Sequence, residues 1–208
     1  MIVFRYSKLD GGQFISHLDT MRHIQMTLIR AGIQVARSNG FAHRMTVNMS
    51  SPVPVGQRTM AEYCYVDTDT PAEQFKNLFN EFSPKWINCI EAFSVNKKCN
   101  IANILNRAEY EILGINYFDV NKVLDSITYT VIDKKDNIKE VRDKIYSLEF
   151  LKSGALKAVL AAGNEPLRAD YLAKKLTADF GGNCTDILKT QSFVGDETVR
   201  AVLERDYV

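Results

Sequence analysis

The sequence has no apolar run long enough to cross a membrane. A membrane-spanning helix takes about 20 consecutive apolar residues, and polar or charged residues interrupt every apolar stretch well before that length. The first six residues, Met-Ile-Val-Phe-Arg-Tyr, also lack the charged-then-apolar layout of a signal peptide. We therefore expect a cytoplasmic protein with no membrane contact.

Cysteine is scarce and scattered. The four cysteines are Cys64, Cys89, Cys99 and Cys184, and they form neither a CxxC pair nor a close cluster. This spacing argues against a zinc site or an iron–sulfur cluster. We expect free thiols in a reducing compartment, and neither a metal nor another cofactor.

Motifs of the common enzyme classes are also missing. No GxGxxG, P-loop or nucleophile elbow occurs. Of the three histidines, His43 stands beside Arg44 in a loop, where it could act as a general acid or base on a phosphodiester or be an ordinary hydrogen-bonding surface residue. His17 and His23 are six residues apart and do not share a helical face, which argues against a metal site with Asp19. The sequence favours a non-catalytic role.

Positive charge is concentrated near the start of the chain. The first 60 residues hold seven basic and two acidic residues, a net charge of +5, whereas the remaining residues carry −4. Six of the seven basic residues are arginines, whose planar guanidinium suits bidentate contact with phosphate or carboxylate. These arginines either form a surface for a polyanion or are scattered over solvated faces.

The order of predicted elements indicates an α+β fold. Alternation predicts strands at 2–7, 34–37, 62–67 and 86–93, and helical periodicity follows Ser16 and Pro71. This is the split-βαβ order of ferredoxin-like domains, and the residues after 107 repeat it loosely. We predict two tandem ferredoxin-like (split βαβ) halves with antiparallel sheets, at 1–99 and 100–208, joined near 96–107.

Several motifs together resemble the radical-SAM-linked family of unknown function. They are Phe14-Ile15-Ser16-His17-Leu18-Asp19, Arg30-Ala31-Gly32-Ile33, Ser38-Asn39-Gly40-Phe41, His43-Arg44, Pro52-Val53-Pro54-Val55-Gly56 and Glu62-Tyr63. Weaker similarity continues through Ala108-Glu109-Tyr110, 134–149 and 164–170. The chain departs from the family pattern at Ala42-His43-Arg44, where the family has Asn-Pro-His-Pro-Arg.

The resemblance implies a partner protein. Members of that family occur fused to, or encoded beside, B12-binding radical SAM proteins. This chain lacks the CxxxCxxC motif that ligates a radical SAM cluster, so any radical chemistry would take place on the partner. We expect an accessory or substrate-recognition module that contacts RNA, a ribonucleoprotein or another polyanion. The alternatives are a metal-independent ribonuclease using His43 or His17, and an adaptor that binds only protein.

The expected binding surface combines the start of the first helix with the 38–44 loop. Exposed N–H groups at a helix start attract anions, and the polar loop could return toward them. The candidate residues are His17, Asp19, Arg22, Arg37, Asn39, His43 and Arg44.

Overall fold

The computed structural model describes residues 1–39 and 43–208, so Gly40, Phe41 and Ala42 of the predicted site loop lie outside the described residues. The predicted α+β class is confirmed: the strands pair mostly in antiparallel fashion, and helices cover the sheet. No helix in the described ranges is long and apolar enough to cross a membrane.

The first half has the order strand, helix, two strands, helix, strand. Its elements are β1 (Ile2–Lys8), α1 (His17–Arg30), β2 (Val47–Met49), β3 (Arg58–Val66), α2 (Ala72–Phe82) and β4 (Ile87–Ser94). β1 is central and pairs with β4 on one side and β3 on the other, and β2 continues from β3. Phe4 of β1 packs against Phe75 and Phe79 of α2, with both ring centroids 5.1 Å from its own. This aromatic contact fixes α2 on the sheet.

The second half begins after a short helix, α3 (Ile101–Ile104), within the predicted join. Its elements are β5 (Arg107–Ile115), α4 (Asn121–Leu124), β6 (Thr130–Ile132), β7 (Ile138–Glu140), β8 (Ile145–Phe150), β9 (Leu156–Ala161), α5 (Ala169–Phe180), β10 (Gly182–Val194), β11 (Glu197–Thr198) and α6 (Val199–Asp206). Short 3₁₀ turns occur at Gly12–Phe14 and Arg142–Lys144. α5 buries Leu172 and Leu176 in the core of this half.

The two halves share one continuous sheet, which corrects the prediction of separate antiparallel sheets. The strand order across the described residues is β4-β1-β3-β10-β5-β9-β8, and the two halves meet where β3 and β10 run parallel. β2 covers β3 only from Cys64 to Val66, so the backbone groups at the start of β3 remain open. Leu188 and Lys189 of β10 pair there with Arg58 and Thr59. This pairing provides hydrogen-bond partners for backbone N–H and C=O groups that would otherwise stay unpaired at the strand edge.

The C-terminal helix returns to the first half. Val199 and Leu203 of α6 are fully buried together with Val3 and Tyr63, on the sheet face opposite α1 and α2. β1 is therefore covered on both faces, and this explains why nearly all its side chains are buried.

The predicted strand at 34–37 is wrong, since only Arg37 makes an isolated bridge, to Met45. At the start of α2, Pro71 holds the cap position, while the Thr70 hydroxyl lies 3.1 Å from that of Thr68. The charged segment 134–142 contains β7, which forms a separate hairpin with β6.

Candidate functional site: an arginine groove and a cavity between the halves

The start of α1 is fixed by Ser16. Its Oγ accepts a hydrogen bond from the Asp19 N–H at 3.2 Å and donates to Asp19 Oδ2 at 2.7 Å. These contacts make Ser16 the N-cap, as the sequence predicts. The hydroxyl of Ser16, followed by the guanidinium of Arg22, lowers the pKa of Asp19. Asp19 therefore bonds to the N-cap residue Ser16 and also forms an ion pair with Arg22, whose Nη1 lies 2.9 Å from Asp19 Oδ1.

Four of the predicted site residues line one groove. This groove, of about 530 Å³, lies between α1 and the segment that includes 37 and 43–45, and we call it the arginine groove. Its lining residues are Leu18, Met21, Arg22, Gln25, Ile29, Arg37, His43, Arg44 and Met45. The groove thus combines an aliphatic floor with three guanidinium groups, and no carboxylate is among these residues.

Backbone contacts hold the loop side of the groove. The N–H of Ser38 donates to the carbonyl of Arg44 at 2.8 Å, and the N–H of Arg44 donates to Ser38 Oγ at 3.0 Å. Arg37 Nη1 donates to the carbonyl of His43 at 3.3 Å. These bonds keep Arg37 and Arg44 on the same side of α1.

The position of this groove corrects the expected site geometry. The arginines do not converge on the first turn of α1; they lie along its flank, beside residues from Leu18 to Ile29. Asn39 is exposed and is not among the lining residues. His17 leaves the same helix on another side, since residues one apart differ by about 100° around the axis. The seven predicted residues therefore do not form one surface.

His17 instead lines a cavity between the two halves. This cavity has a volume of about 460 Å³, and on the side of the first half it is lined by His17 and residues from 51–57. The second half contributes Leu105, Tyr110, the turn 162–169, Lys189 and Ser192. We call it the inter-half cavity.

A buried ion pair stands at the wall of this cavity. Lys189 Nζ lies 3.0 Å from Glu62 Oε1, and the two side chains are 5% and 3% exposed. Ser50 Oγ donates to Glu62 Oε2 at 3.0 Å and accepts the Tyr63 N–H at 3.0 Å. The carboxylate is thus both paired and hydrogen-bonded, as a buried charge requires.

Sequence reasoning missed this pair. Lys189 and Glu62 are 127 residues apart, and only the β3–β10 pairing brings them together. One signal was present: Glu62 interrupts the apolar run 60–66 of β3, and a buried acidic residue there requires a partner.

A second buried lysine lies behind His17. Lys8 is 4% exposed, and its Nζ donates to the carbonyl of Ile15 at 3.2 Å. Burial lowers the pKa of Lys8, and the negative charge of Glu62 opposes that shift. Burial also lowers the pKa of His17, whose Nδ1 is buried and has no hydrogen-bond partner among the described residues. The surroundings of His17 therefore favour its neutral form.

Within the described part of the chain, no three His, Cys, Asp or Glu side chains are placed to hold a metal ion together. All four cysteines are free thiols.

A family model described as "Uncharacterized protein conserved in bacteria (DUF2344)" matches residues 1–168. The chain belongs to this family. The matched residues include β1 to β9 and both sides of the arginine groove. No curated protein matches the chain.

Among solved structures, the chain is similar to one chain of "Crystal Structure of a Cbf5-Nop10-Gar1 Complex". The two align with a TM-score of 0.50 and 10% identity, over 92% of this chain and 48% of the other. The chain thus spans about half the length of that neighbour, and the similarity shows a shared fold alone.

Proposed function

We propose that this protein is a non-catalytic recognition module that binds RNA or another polyanion through the arginine groove. The observation that carries the proposal is the convergence of Arg22, Arg37 and Arg44 on one groove. Arginine contacts phosphate in bidentate fashion, and several such contacts on one surface add up along a polyanion. Arg22 is partly neutralised by Asp19, so Arg37 and Arg44 carry most of the expected contact.

We further propose that the module works beside a radical SAM enzyme in the cytoplasm. The support for the partner is the resemblance of the motifs around His17, Ser38 and Pro52 to the radical-SAM-linked family. The support for the compartment is the set of free thiols, which are typical of reducing surroundings.

We also infer that the halves 1–99 and 100–208 are two ferredoxin-like units. The strand order β4-β1-β3-β2 of the first half matches the order β10-β5-β9-β8 of the second. In each, two helices cross over between strands, although α4 has only four residues. α6 then packs against the first unit and so joins the second unit to it.

The test is a salt titration of binding to labelled cellular RNA. Arg37→Ala and Arg44→Ala should each weaken binding and reduce the salt slope by about one contact. Arg200→Ala is the matched control, because Arg200 is an exposed arginine of α6 that pairs with Glu204. If both groove variants keep the wild-type affinity and slope, the groove is not the RNA site.

An adaptor that binds only protein is the second candidate, and the floor of the groove favours it. Leu18 and Ile29 are 63% and 54% exposed, more than a purely electrostatic site needs. This role predicts no RNA retention and capture of a protein with an acidic, amphipathic segment. A ribonuclease, the remaining alternative, predicts RNA cleavage that is lost in His43→Ala.

A further inference from the structure

We infer that the inter-half cavity binds a neutral planar heterocycle through an amide edge, that is, an N–H beside a C=O. This site is separate from the arginine groove, and the inference stands whether or not the groove binds RNA. A volume of about 460 Å³ lies within the range of small-molecule sites.

The first observation is an unpaired acceptor in the cavity wall. Gln57 is 5% exposed and lines the cavity, and its Oε1 is buried without a hydrogen bond from any described residue. A buried polar atom without a partner costs free energy. A ligand N–H would supply the missing bond.

The second observation is a donor in the wall of the same cavity: Lys189 lines it together with Gln57. Arg58 pairs with Leu188 and Thr59 with Lys189 across the parallel strands. Paired residues on neighbouring strands point to the same face of the sheet, so the side chains of Thr59 and Lys189 share a face. Gln57 directly precedes β3 and lines the same cavity as Lys189. One N–H of the Lys189 ammonium donates to Glu62 Oε1, and its remaining N–H groups can donate to a ligand carbonyl.

The charges around the cavity disfavour charged small ligands, because its second cation, Arg168, is already paired with Asp170 at 2.6 Å. A carboxylate cannot donate to Gln57 Oε1 and would approach the buried carboxylate of Glu62. An ammonium would meet Lys189 and, behind His17, Lys8. A neutral group with one donor and one acceptor satisfies both neighbours.

The remaining walls suit the flat apolar face of a ring. They are built mainly from proline and aliphatic side chains: Pro52, Val53, Pro54, Leu105, Pro166 and Leu167. A nucleobase with a lactam or imide edge has this combination of properties, either as a free nucleoside or as part of RNA.

Calorimetric titration of the full chain with guanosine and uridine tests the site. The controls are 1-methylguanosine and 3-methyluridine, in which a methyl group replaces the N–H of the amide edge. We expect at least one parent nucleoside to bind, and its methylated form to bind at least tenfold more weakly. Absence of binding by both parents at about 1 mM, or equal binding of a parent and its methylated form, would overturn the inference.

Variants then locate the binding. Gln57→Leu removes the acceptor, and Ala162→Phe fills the cavity without touching its polar groups. Each should weaken nucleoside binding at least tenfold, whereas Lys174→Ala, on the exposed face of α5, should not change it. Thermal unfolding checks that each variant is folded. Unchanged binding in folded Ala162→Phe would show that the cavity is not the site.

An oligonucleotide competitor identifies the source of the heterocycle. Displacement of the bound nucleoside by single-stranded RNA indicates a base within RNA. Binding that RNA does not displace indicates a free small molecule with the same edge.

Discussion

Lys189 of β10 and Glu62 of β3 form an ion pair at 3.0 Å, with both side chains almost fully buried. The pair joins β10 of the second half to β3 of the first half. It lies where the sheet changes from antiparallel to parallel pairing. Its removal should therefore test how strongly the two halves depend on each other.

Lys189→Met should destabilise the protein by about 3–5 kcal/mol, because it leaves the Glu62 carboxylate buried without its partner. Urea unfolding followed by circular dichroism measures the change. The double variant Glu62→Gln/Lys189→Met removes both charges and should recover much of the loss.

The matched control for this pair is Lys157→Ala. Lys157 and Glu149 form a cross-strand ion pair at 2.8 Å, but their side chains are 31% and 63% exposed. Its loss should cost only about 0.2–1 kcal/mol. Equal destabilisation by the two lysine substitutions would contradict the role assigned to burial.

Gly114 should tolerate no side chain. Its φ is +88°, and a Cβ there would lie 1.9 Å from the carbonyl oxygen of Asn183 on the paired strand. Gly154 has a similar φ of +84°, but nothing lies within 4 Å of its Cβ position. Gly154→Ala should cost about 1–2 kcal/mol through backbone strain alone, and Gly114→Ala clearly more. Comparable melting temperatures for the two variants would refute the steric argument.

His17 should make the stability of the protein depend on pH. Burial lowers its pKa below the ordinary value of 6.5, so on acidification the unfolded chain takes up the proton first. This contribution is complete above about pH 6.5 and is lost as the pH falls through the folded-state pKa. His17→Gln should flatten the stability profile in that window.

The pKa of His17 is measured directly by following its ring proton by NMR during a pH titration. A midpoint at or above 6.5 would show that burial does not control this side chain.

Cys184 should be the thiol that reacts first. Cys64, Cys89 and Cys99 are buried, whereas Cys184 is partly exposed. Burial raises the pKa of all four, that of Cys89 to about 12, which suppresses the reactive thiolate. A disulfide reagent at pH 8 should label one thiol in the folded protein and the rest only after unfolding. Cys184→Ser should abolish the first phase; labelling of any thiol in that folded variant would contradict the burial pattern.

Local features followed from the sequence because nearby residues decide them. The N-cap at Ser16 needs only Asp19 and the helix that follows. Phe75 and Phe79 lie on one face of α2 because four residues make about one turn, and both are fully buried. The basic character of the first 60 residues is likewise a property of the chain itself, and it made Arg22, Arg37 and Arg44 candidates for one binding surface.

Tertiary structure decided where those residues lie. The backbone bonds between Ser38 and Arg44 set the arginines along the flank of α1, and helical rotation turned His17 toward the other half. The contact of Lys189 with Glu62 depends on strand pairing between residues more than 120 apart. No local pattern encodes such a pairing, because it arises from the open edge of β3 and the burial that both halves gain by covering it.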